Sequence, residues 1–284
     1  MGILRYNYRS DFMMNVDITI VIPSMNFTVN NTISRSPNPA EQATKYPYIP
    51  GMKFQTVYFL HGGGDDDTLP YRYTSLERYA EENNVMLVTP CLVDTFYADA
   101  ELGWKAFSFL TEELPTVIQS NFPSATGREN NFLVGFAMGG NGALAGWLRR
   151  PDLYAACVDL SGGIGFTLDT QGLLNQISTI KKLQKVFTDP EKIPGSDNDM
   201  YAVAKRNIEN NVDMPEFFLA SGAEDYIVER VRKDRDILRK LGYKFTYAEE
   251  PGLGHDWHFW DMYFEKVLSE WLPLKRRPIY PDED

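Results

Sequence analysis

A short stretch at residues 135–140, Gly-Phe-Ala-Met-Gly-Gly, constrains this chain of 284 residues more than any other part of it. The apolar residues before it, 131–134, are typical of a buried strand, and residues 141–150 continue as a helix that opens on small side chains. Small residues on both sides of position 137 suit a sharp strand-to-helix turn, because the backbone there is strained and packs closely on its neighbours. The stretch therefore predicts a strand–turn–helix unit that presents residue 137 at its tip.

Apolar runs and helical segments alternate along most of the chain, which predicts an α/β fold with a mostly parallel, doubly wound sheet and helices on both faces. A half-buried strand is expected at 15–22, where apolar and polar residues alternate. Further strands are predicted at 56–60, 85–89, 131–134, 155–160, 216–221 and 244–248. Helices are predicted at 75–82, 104–120, 141–150, 173–187, 200–210, 227–241 and 257–271. Pro115 is expected to bend the second of these helices.

Two segments break this alternation, but the chain is predicted to form a single domain over residues 1–284. Residues 24–53 are rich in Asn, Ser, Pro and Thr and are expected to form a long loop or hairpin. Residues 164–214 are polar, with prolines and helical pieces, and are interpreted as a cap-like insertion that lies over the active site. The aromatic C-terminal region would suit either a monomer or a homodimer.

Composition excludes several classes of function. A formal net charge of −11 argues against nucleic acid and anionic membranes as partners, since both favour a basic surface. No apolar run approaches the length of a membrane span, and the N-terminus lacks the apolar run of a signal peptide. Cys91 and Cys157 lie in apolar segments and are interpreted as buried thiols. A cytoplasmic location is therefore expected, although loss of a secretion leader from the parent protein remains an alternative.

Unusual residues follow four of the predicted strands, at the sheet edge where doubly wound proteins bind ligands. A strand–turn–helix unit of the form G-x-S-x-G is the nucleophile elbow of α/β-hydrolases, and here Ala137 stands at the central position. Acidic residues follow the strand at 216–221, and a glycine-rich loop with a histidine follows the last strand. Elbow, acid and histidine therefore occur in the chain order of α/β-hydrolases.

His255 is the preferred base among the three histidines of the chain, because its loop can reach the elbow while its second ring nitrogen faces an acid. The acid is expected to be Asp225, with Glu224 as the alternative. The spacing of His255 and His258 also suits a pair of metal ligands, but no third ligand has a fitting position. Neither a metal nor any other cofactor is therefore predicted.

The segment His-Gly-Gly-Gly at residues 61–64 is interpreted as an oxyanion loop. Glycines let backbone N–H groups approach a developing negative charge without obstruction by a Cβ atom. The second donor would be the N–H of Met138, which follows the nucleophile position at the beginning of a helix. The acidic run at residues 65–67 is expected to be a solvated loop in which one carboxylate caps a helix.

These motifs together resemble the putative-esterase family of α/β-hydrolases, which includes tributyrin esterases, feruloyl esterases and S-formylglutathione hydrolases. The resemblance rests on residues 58–63, 110–115, 135–144 and 254–257, and it is weakest in the segments 24–53 and 164–214. It implies that position 137 is the nucleophilic serine, Asp225 the acid and His255 the base. It further implies that Gly63 and Met138 donate the oxyanion hydrogen bonds. No cofactor is implied.

Ala137 departs from the family pattern, because the chemistry requires a hydroxyl group there. All the supporting residues are kept, which favours a serine replaced by alanine to trap substrate in an otherwise complete hydrolase. The alternative is a naturally inactive homologue that binds a ligand or a protein partner. A third interpretation keeps the enzyme and changes the substrate to a thioester or a peptide.

Aromatic residues are concentrated in the segments expected to border the site. They are Phe96, Tyr97 and Trp104 before the elbow, and Trp257 and Trp260 beside His255. Core packing is the alternative role for each of them, because aromatic side chains supply much of the buried area in any protein. A flat apolar cleft would suit small esters as substrates, with short acyl or hydroxycinnamoyl groups. The expected function is thus that of a serine carboxylesterase that acts through an acyl-enzyme.

Overall fold

A single eight-stranded sheet runs through the computed structural model, which describes residues 2–24 and 48–281. The strands lie side by side in the order β1-β2-β4-β3-β5-β6-β7-β8. Their bounds are β1 Gly2–Ser10, β2 Met14–Ile22, β3 Thr56–Leu60, β4 Met86–Pro90, β5 Asn131–Phe136, β6 Ala156–Leu160, β7 Glu216–Gly222 and β8 Thr246–Glu250. Strands β3 to β8 are parallel, whereas β2 is antiparallel to both β1 and β4. The predicted mostly parallel α/β fold is confirmed.

Helices cover both faces of this sheet. Their bounds are α1 Leu69–Tyr73, α2 Leu76–Glu82, α3 Ala106–Ser108, α4 Leu114–Asn121, α5 Met138–Arg149, α6 Thr170–Thr179, α7 Lys181–Val186, α8 Met200–Glu209, α9 Val228–Leu241 and α10 Trp257–Lys266. Strand β3 shows how the two layers arise, because side chains alternate along a strand. Tyr58 and Leu60 join the core cluster that contains α5, whereas Val57 and Phe59 join the cluster that contains α10. The chain therefore has one apolar core on each face of the sheet.

Strand β1 was not predicted from the sequence. It pairs only with β2 at the edge of the sheet, and most of its side chains are exposed. An edge strand with little buried surface has no strong alternation of apolar residues, so its sequence carries a weak signal. The last strand was predicted two residues early, at 244–248, and in the structure it lies at Thr246–Glu250.

The helix predicted at 104–120 is interrupted. It begins at Ala106, widens into a π turn at Phe109–Glu113 and continues as α4, with Pro115 in its first turn. Proline lacks an N–H group and its ring crowds the preceding turn, so a widened turn accommodates it without ending the helix. The helix predicted at 173–187 is likewise two helices, α6 and α7, which meet at Ile180, a residue with extended backbone angles.

The segment 164–214 contributes α6, α7 and α8 between β6 and β7. Its buried residues Leu173, Leu183 and Met200 belong to the same core cluster as the α5 residue Leu144. The segment is therefore packed on the main core. The long loop predicted at 24–53 falls largely outside the described residues. In the part of the chain that is described, no helix is long and apolar enough to span a membrane.

Candidate active site

Ala137 lies at the sharp turn between β5 and α5, with φ 50° and ψ −120°. Residues other than glycine rarely adopt these angles, and doing so costs on the order of 1–3 kcal/mol. The turn is held from both sides. The Ala137 N–H donates to the carbonyl oxygen of Leu160 at 2.9 Å, and the Ala137 carbonyl accepts from the N–H of Gly140 at 3.0 Å. This strained turn is the elbow that the sequence predicts.

The glycines around the elbow are required by close backbone contacts. A Cβ atom on Gly135 would lie 2.0 Å from the carbonyl oxygen of Gly139, and one on Gly139 would lie 2.1 Å from that of Leu60. Both distances are far below van der Waals contact. These positions therefore exclude larger side chains because β3, β5 and α5 converge at this point.

The predicted oxyanion loop lies beside the elbow. A Cβ atom on Gly62 would lie 3.4 Å from Cβ of Ala137, and one on Gly63 would lie 3.7 Å from Cβ of Met138. Met138 is the first residue of α5, so its N–H points out of the helix N-terminus, where the helix dipole favours negative charge. The structure thus brings Gly63 and Met138 together next to position 137.

His61 anchors this loop from within the core. Its Nε2 accepts a hydrogen bond from the N–H of Leu92 at 2.8 Å, so the ring proton lies on Nδ1 and is donated to the carbonyl of Gly62, also at 2.8 Å. Burial lowers the pKa of His61 to about 4, which keeps the ring neutral. The hydroxyl of Tyr97 donates to the carbonyl of His61 at 2.9 Å. His61 is therefore structural and is not available as a base.

His255 and Asp225 form a hydrogen-bonded pair, with 2.8 Å between Nδ1 and Oδ2. The Asp225 side chain is fully buried, while the imidazole of His255 keeps an exposed fraction of 17%. The carboxylate is further fixed through Oδ1, which accepts from the N–H of Ile227 at 2.9 Å. Asp225, rather than Glu224, is thus the acid that contacts His255.

The charge state of Asp225 suits a partner for imidazolium. Burial alone would raise the pKa of this carboxyl group, but the hydrogen bonds from His255 and Ile227 outweigh that effect and hold it below its ordinary value. His258 does not share this environment. Its side chain is exposed and lies 3.6 Å from Asp256, so its place is at the surface of α10.

Aromatic rings connect the elbow to His255. The ring of Trp260 packs against Phe136 at 4.9 Å and edge-on against His255 at 5.0 Å. Trp257 also contacts Phe136, at 5.3 Å, and stacks on Tyr73 at 5.1 Å. Of the predicted substrate-binding residues, Trp257 and Trp260 therefore lie at the candidate site, where Trp260 is almost fully buried and orients the imidazole.

The sequence did not identify two exposed tyrosines that border this group. Tyr226 follows Asp225, is 72% exposed and lies 4.8 Å from the ring of His255. Tyr73, on α1, is also exposed. The position of Tyr226 directly after the acid was the available signal.

The prediction that Phe96 and Tyr97 line the substrate cleft is wrong. Tyr97 is completely buried, and its ring occupies the space that a Cβ atom on Gly142 would enter, 2.6 Å away. Phe96 is also buried and packs against Gly165. Both belong to the core on the α5 face of the sheet, and Tyr97 contacts the oxyanion loop through the carbonyl of His61. Trp104 is half exposed, and no contact within the described ranges joins it to His255 or the elbow.

Asn141 and Asp159 are buried polar residues behind the elbow whose roles were not predicted from the sequence. Oδ1 of Asn141 accepts the N–H groups of Gly163 and Ile164, at 3.2 and 3.1 Å, and so ties the segment that follows β6 to α5. Oδ1 of Asp159 accepts the N–H of Gly162 at 2.8 Å. Polar residues inside an otherwise apolar helix or strand were the available signal for both.

The site thus joins a strained elbow, the amides of Gly63 and Met138 and a buried acid–histidine pair. The Esterase family, described as putative esterase, matches residues 43–260, which is most of the chain. The chain belongs to this family. It is a carboxylic ester hydrolase by family, and alanine stands at the tip of its elbow.

Individual relatives of this esterase have low sequence identity to it. An acetyl esterase from Caldicellulosiruptor saccharolyticus is 28% identical over 231 residues, which cover 79% of this chain and 85% of the relative. A substrate-bound fluorophosphonate-binding serine hydrolase F from Staphylococcus aureus matches with a TM-score of 0.79 and 22% identity, over 95% of this chain and 98% of the other. An S-formylglutathione hydrolase apoenzyme from the same species matches with a TM-score of 0.76 and 22% identity, again over 95% and 98%. The two structures support the fold.

Proposed function

We propose that the active form of this esterase carries serine at position 137 and hydrolyses carboxylic esters through an acyl-enzyme. The observation that supports this most strongly is the pair of Asp225 and His255, hydrogen-bonded at 2.8 Å beside a strained elbow. A buried carboxylate and an oriented imidazole are unfavourable to retain without a use, and the reaction at a serine uses both.

Each step of the proposed reaction would use one of the residues described above. The serine hydroxyl would attack the ester carbonyl carbon while Nε2 of His255 takes its proton, and Asp225 would stabilise the imidazolium through Nδ1. The carbonyl oxygen, now negative, would accept hydrogen bonds from the N–H groups of Gly63 and Met138. The imidazolium would then protonate the departing alcohol, and water would release the acid from the serine by the same route.

We further propose that Ala137 is a replacement that leaves the rest of the site able to bind esters. A lineage that had long lost the hydroxyl would have no reason to keep Asp225 and His255 hydrogen-bonded together with the glycines of the oxyanion loop. The competing proposal is a naturally inactive protein that binds a ligand or partner. The codon at position 137 in the source gene distinguishes the two, since the replacement hypothesis requires a serine codon there.

For the substrate we propose small esters, with acetyl to butyryl or hydroxycinnamoyl groups. The aromatic rings of Trp257 and Tyr73 beside the elbow support a flat apolar group. The segment 164–214, anchored to α5 through Asn141, would limit the length of the acyl chain. A series of p-nitrophenyl esters with two to sixteen carbons tests this limit in the serine revertant, with methyl ferulate for the hydroxycinnamoyl class. A rate maximum at twelve carbons or more would contradict it.

A thioester substrate is the second candidate, because one similar structure is an S-formylglutathione hydrolase. Comparing a glutathione thioester with the matching oxygen ester in the revertant decides between them. Light scattering of the purified chain would measure whether it is a monomer or a homodimer.

The central experiment is the substitution Ala137→Ser. Removing the serine of a triad costs on the order of 10⁶ in kcat, so the revertant should hydrolyse p-nitrophenyl butyrate several orders of magnitude faster than the alanine form. The matched control is the double variant Ala137→Ser with His255→Ala, which keeps the serine but should remain near the rate of the alanine form. A folded revertant that is no faster than its control would contradict the proposed function.

A further inference from the structure

Three consecutive acidic residues follow the oxyanion loop, and only the first of them faces the elbow. Oδ1 of Asp66 accepts the N–H groups of Thr68 and Leu69, at 2.7 and 3.2 Å, and so caps the beginning of α1. Asp67 is buried and accepts from Thr19 at 2.6 Å. Both carboxylates therefore have structural partners, within the loop for Asp66 and on β1 and β2 for Asp67, which also lies 3.2 Å from Arg5.

Asp65 lies instead against the nucleophile position. A Cβ atom on Gly62 would lie 2.6 Å from Oδ2 of Asp65 and 3.4 Å from Cβ of Ala137. The distance between Oδ2 of Asp65 and Cβ of Ala137 is therefore at most about 6.0 Å. The side chain is partly exposed. Burial raises the pKa of this carboxyl group, whereas a hydrogen bond from the backbone of Gly62 and the charge of His255 act in the opposite direction.

A carboxylate at this distance is unfavourable for the reaction when the substrate is a simple alkyl ester. The oxyanion of the tetrahedral intermediate is negative, and a second negative charge nearby opposes its formation. The charge becomes favourable if the substrate itself brings a hydrogen-bond donor to it. The serine oxygen and the alcohol oxygen are bonded to the same carbon in the tetrahedral intermediate, so a carboxylate within about 6.0 Å of position 137 can reach a group next to the alcohol oxygen.

We propose that Asp65 is a specificity-determining residue that accepts a hydrogen bond from a donor on the alcohol part of the substrate, next to the ester oxygen. The substrate class is thus an ester whose alcohol carries a neighbouring hydroxyl or ammonium group. The inference rests on the proposed ester substrate and adds to it the chemistry of the leaving alcohol.

The chain with Ala137 allows a direct test, because it should bind esters without hydrolysing them. The probes are 2-hydroxyethyl butyrate, its near-isostere propyl butyrate, and 2-(dimethylamino)ethyl butyrate as the cationic donor. Binding is measured by ligand-observed NMR and by tryptophan fluorescence, since Trp257 and Trp260 lie at the site. A hydrogen bond to a charged group predicts that the 2-hydroxyethyl ester binds about tenfold more tightly than the propyl ester.

The variants Asp65→Ala and Asp65→Asn identify the source of that preference. Asp65→Ala should bring the two dissociation constants within about twofold, while Asp65→Asn, which retains a carbonyl acceptor, should fall between. Asp66→Asn removes the same charge one residue away and should leave the preference unchanged. If the cationic ester alone loses affinity in Asp65→Ala, then the donor that Asp65 recognises is an ammonium group rather than a hydroxyl group.

Two results would overturn the proposal. One is an equal preference in the parent chain and in Asp65→Ala, and the other is a uniform loss of affinity for all three esters, which would mean that Asp65 only shapes the loop. Circular dichroism of each variant identifies loss of folding, in which case Asp65→Asn decides the result. Failure of Ala137→Ser to hydrolyse p-nitrophenyl butyrate would contradict the proposed function without touching this comparison, which measures binding alone.

Discussion

The buried carboxyl group of Asp159 should make the stability of this protein fall as the pH rises. Asp159 lies on β6, opposite Gly135 of the elbow strand, and is almost fully buried. Burial raises its pKa to about 7, only partly offset by the hydrogen bond from the N–H of Gly162. A carboxyl group in the unfolded chain has a pKa of about 3.9. Between these two values the folded protein retains a proton that the unfolded chain releases.

The sign and size of the effect follow from this difference in pKa. Where the folded state binds more protons than the unfolded chain, the free energy of unfolding decreases as the pH rises. The stabilising contribution of Asp159 is therefore fully present below about pH 4 and is lost as the pH rises through about 7. A shift of about 3 pH units at about 1.4 kcal/mol per unit gives an upper limit of about 4 kcal/mol. Natural domains have roughly 5–15 kcal/mol in total, so the effect is measurable.

The substitution Asp159→Asn tests the reasoning, because asparagine keeps the shape and the acceptor for Gly162 but cannot ionise. Urea unfolding at pH 4.5, 6 and 8 should show little difference between the two proteins at pH 4.5 and a variant more stable by a few kcal/mol at pH 8. Asp236→Asn, at an exposed carboxylate, is the control and should show no such trend. A difference in free energy between Asp159→Asn and the parent that is the same at pH 4.5 and pH 8 would refute this account of Asp159.

Three further substitutions test the packing around the site by urea unfolding at neutral pH. Ala137→Gly should stabilise the protein by about 1 kcal/mol, because relief of the strained backbone angles exceeds the entropic cost of the more flexible glycine. The helical control Ala145→Gly should destabilise the protein by a similar amount. Equal losses of stability in the two variants would argue against strain at the elbow. Gly139→Ala should cost about 3 kcal/mol or more, since its methyl group would meet the carbonyl of Leu60, and a cost below 1 kcal/mol would mean that the elbow moves freely. Arg149→Met should change stability little, because Nη1 of Arg149 is buried without a hydrogen-bond partner among residues 2–24 and 48–281. A large loss of stability would indicate that the stacking of its guanidinium on Phe107, 3.7 Å from the ring centre, outweighs this cost.

The sequence predicted those parts of the site whose local pattern is tied to backbone geometry. The elbow was recognisable because only glycine fits at 135 and 139, and His255 was recognisable because it follows the last strand on a glycine-rich loop. The choice of Asp225 over Glu224 also agrees with the hydrogen bond in the structure.

The predictions that failed depend on which way a side chain points. Tyr97 and Trp104 lie close together in the sequence, yet one is fully buried and the other is half exposed, and the loop pattern does not distinguish them. The same holds for the acidic run, where Asp65 faces the elbow while Asp66 and Asp67 turn away. Tertiary contacts decide such orientations, and alternation along the sequence does not encode them.

The contact of Trp260 with both Phe136 and His255 has a consequence for the order in which the parts of the candidate ester-binding site form during folding. These residues come from β5, from the loop after β8 and from α10, so the binding site requires contacts between segments far apart in the chain. Contacts of that kind form slowly, after local helices. A nascent chain that has not yet released α10 would therefore hold a folded elbow but no oriented imidazole, and ester binding would report completion of the whole fold rather than formation of its central strands.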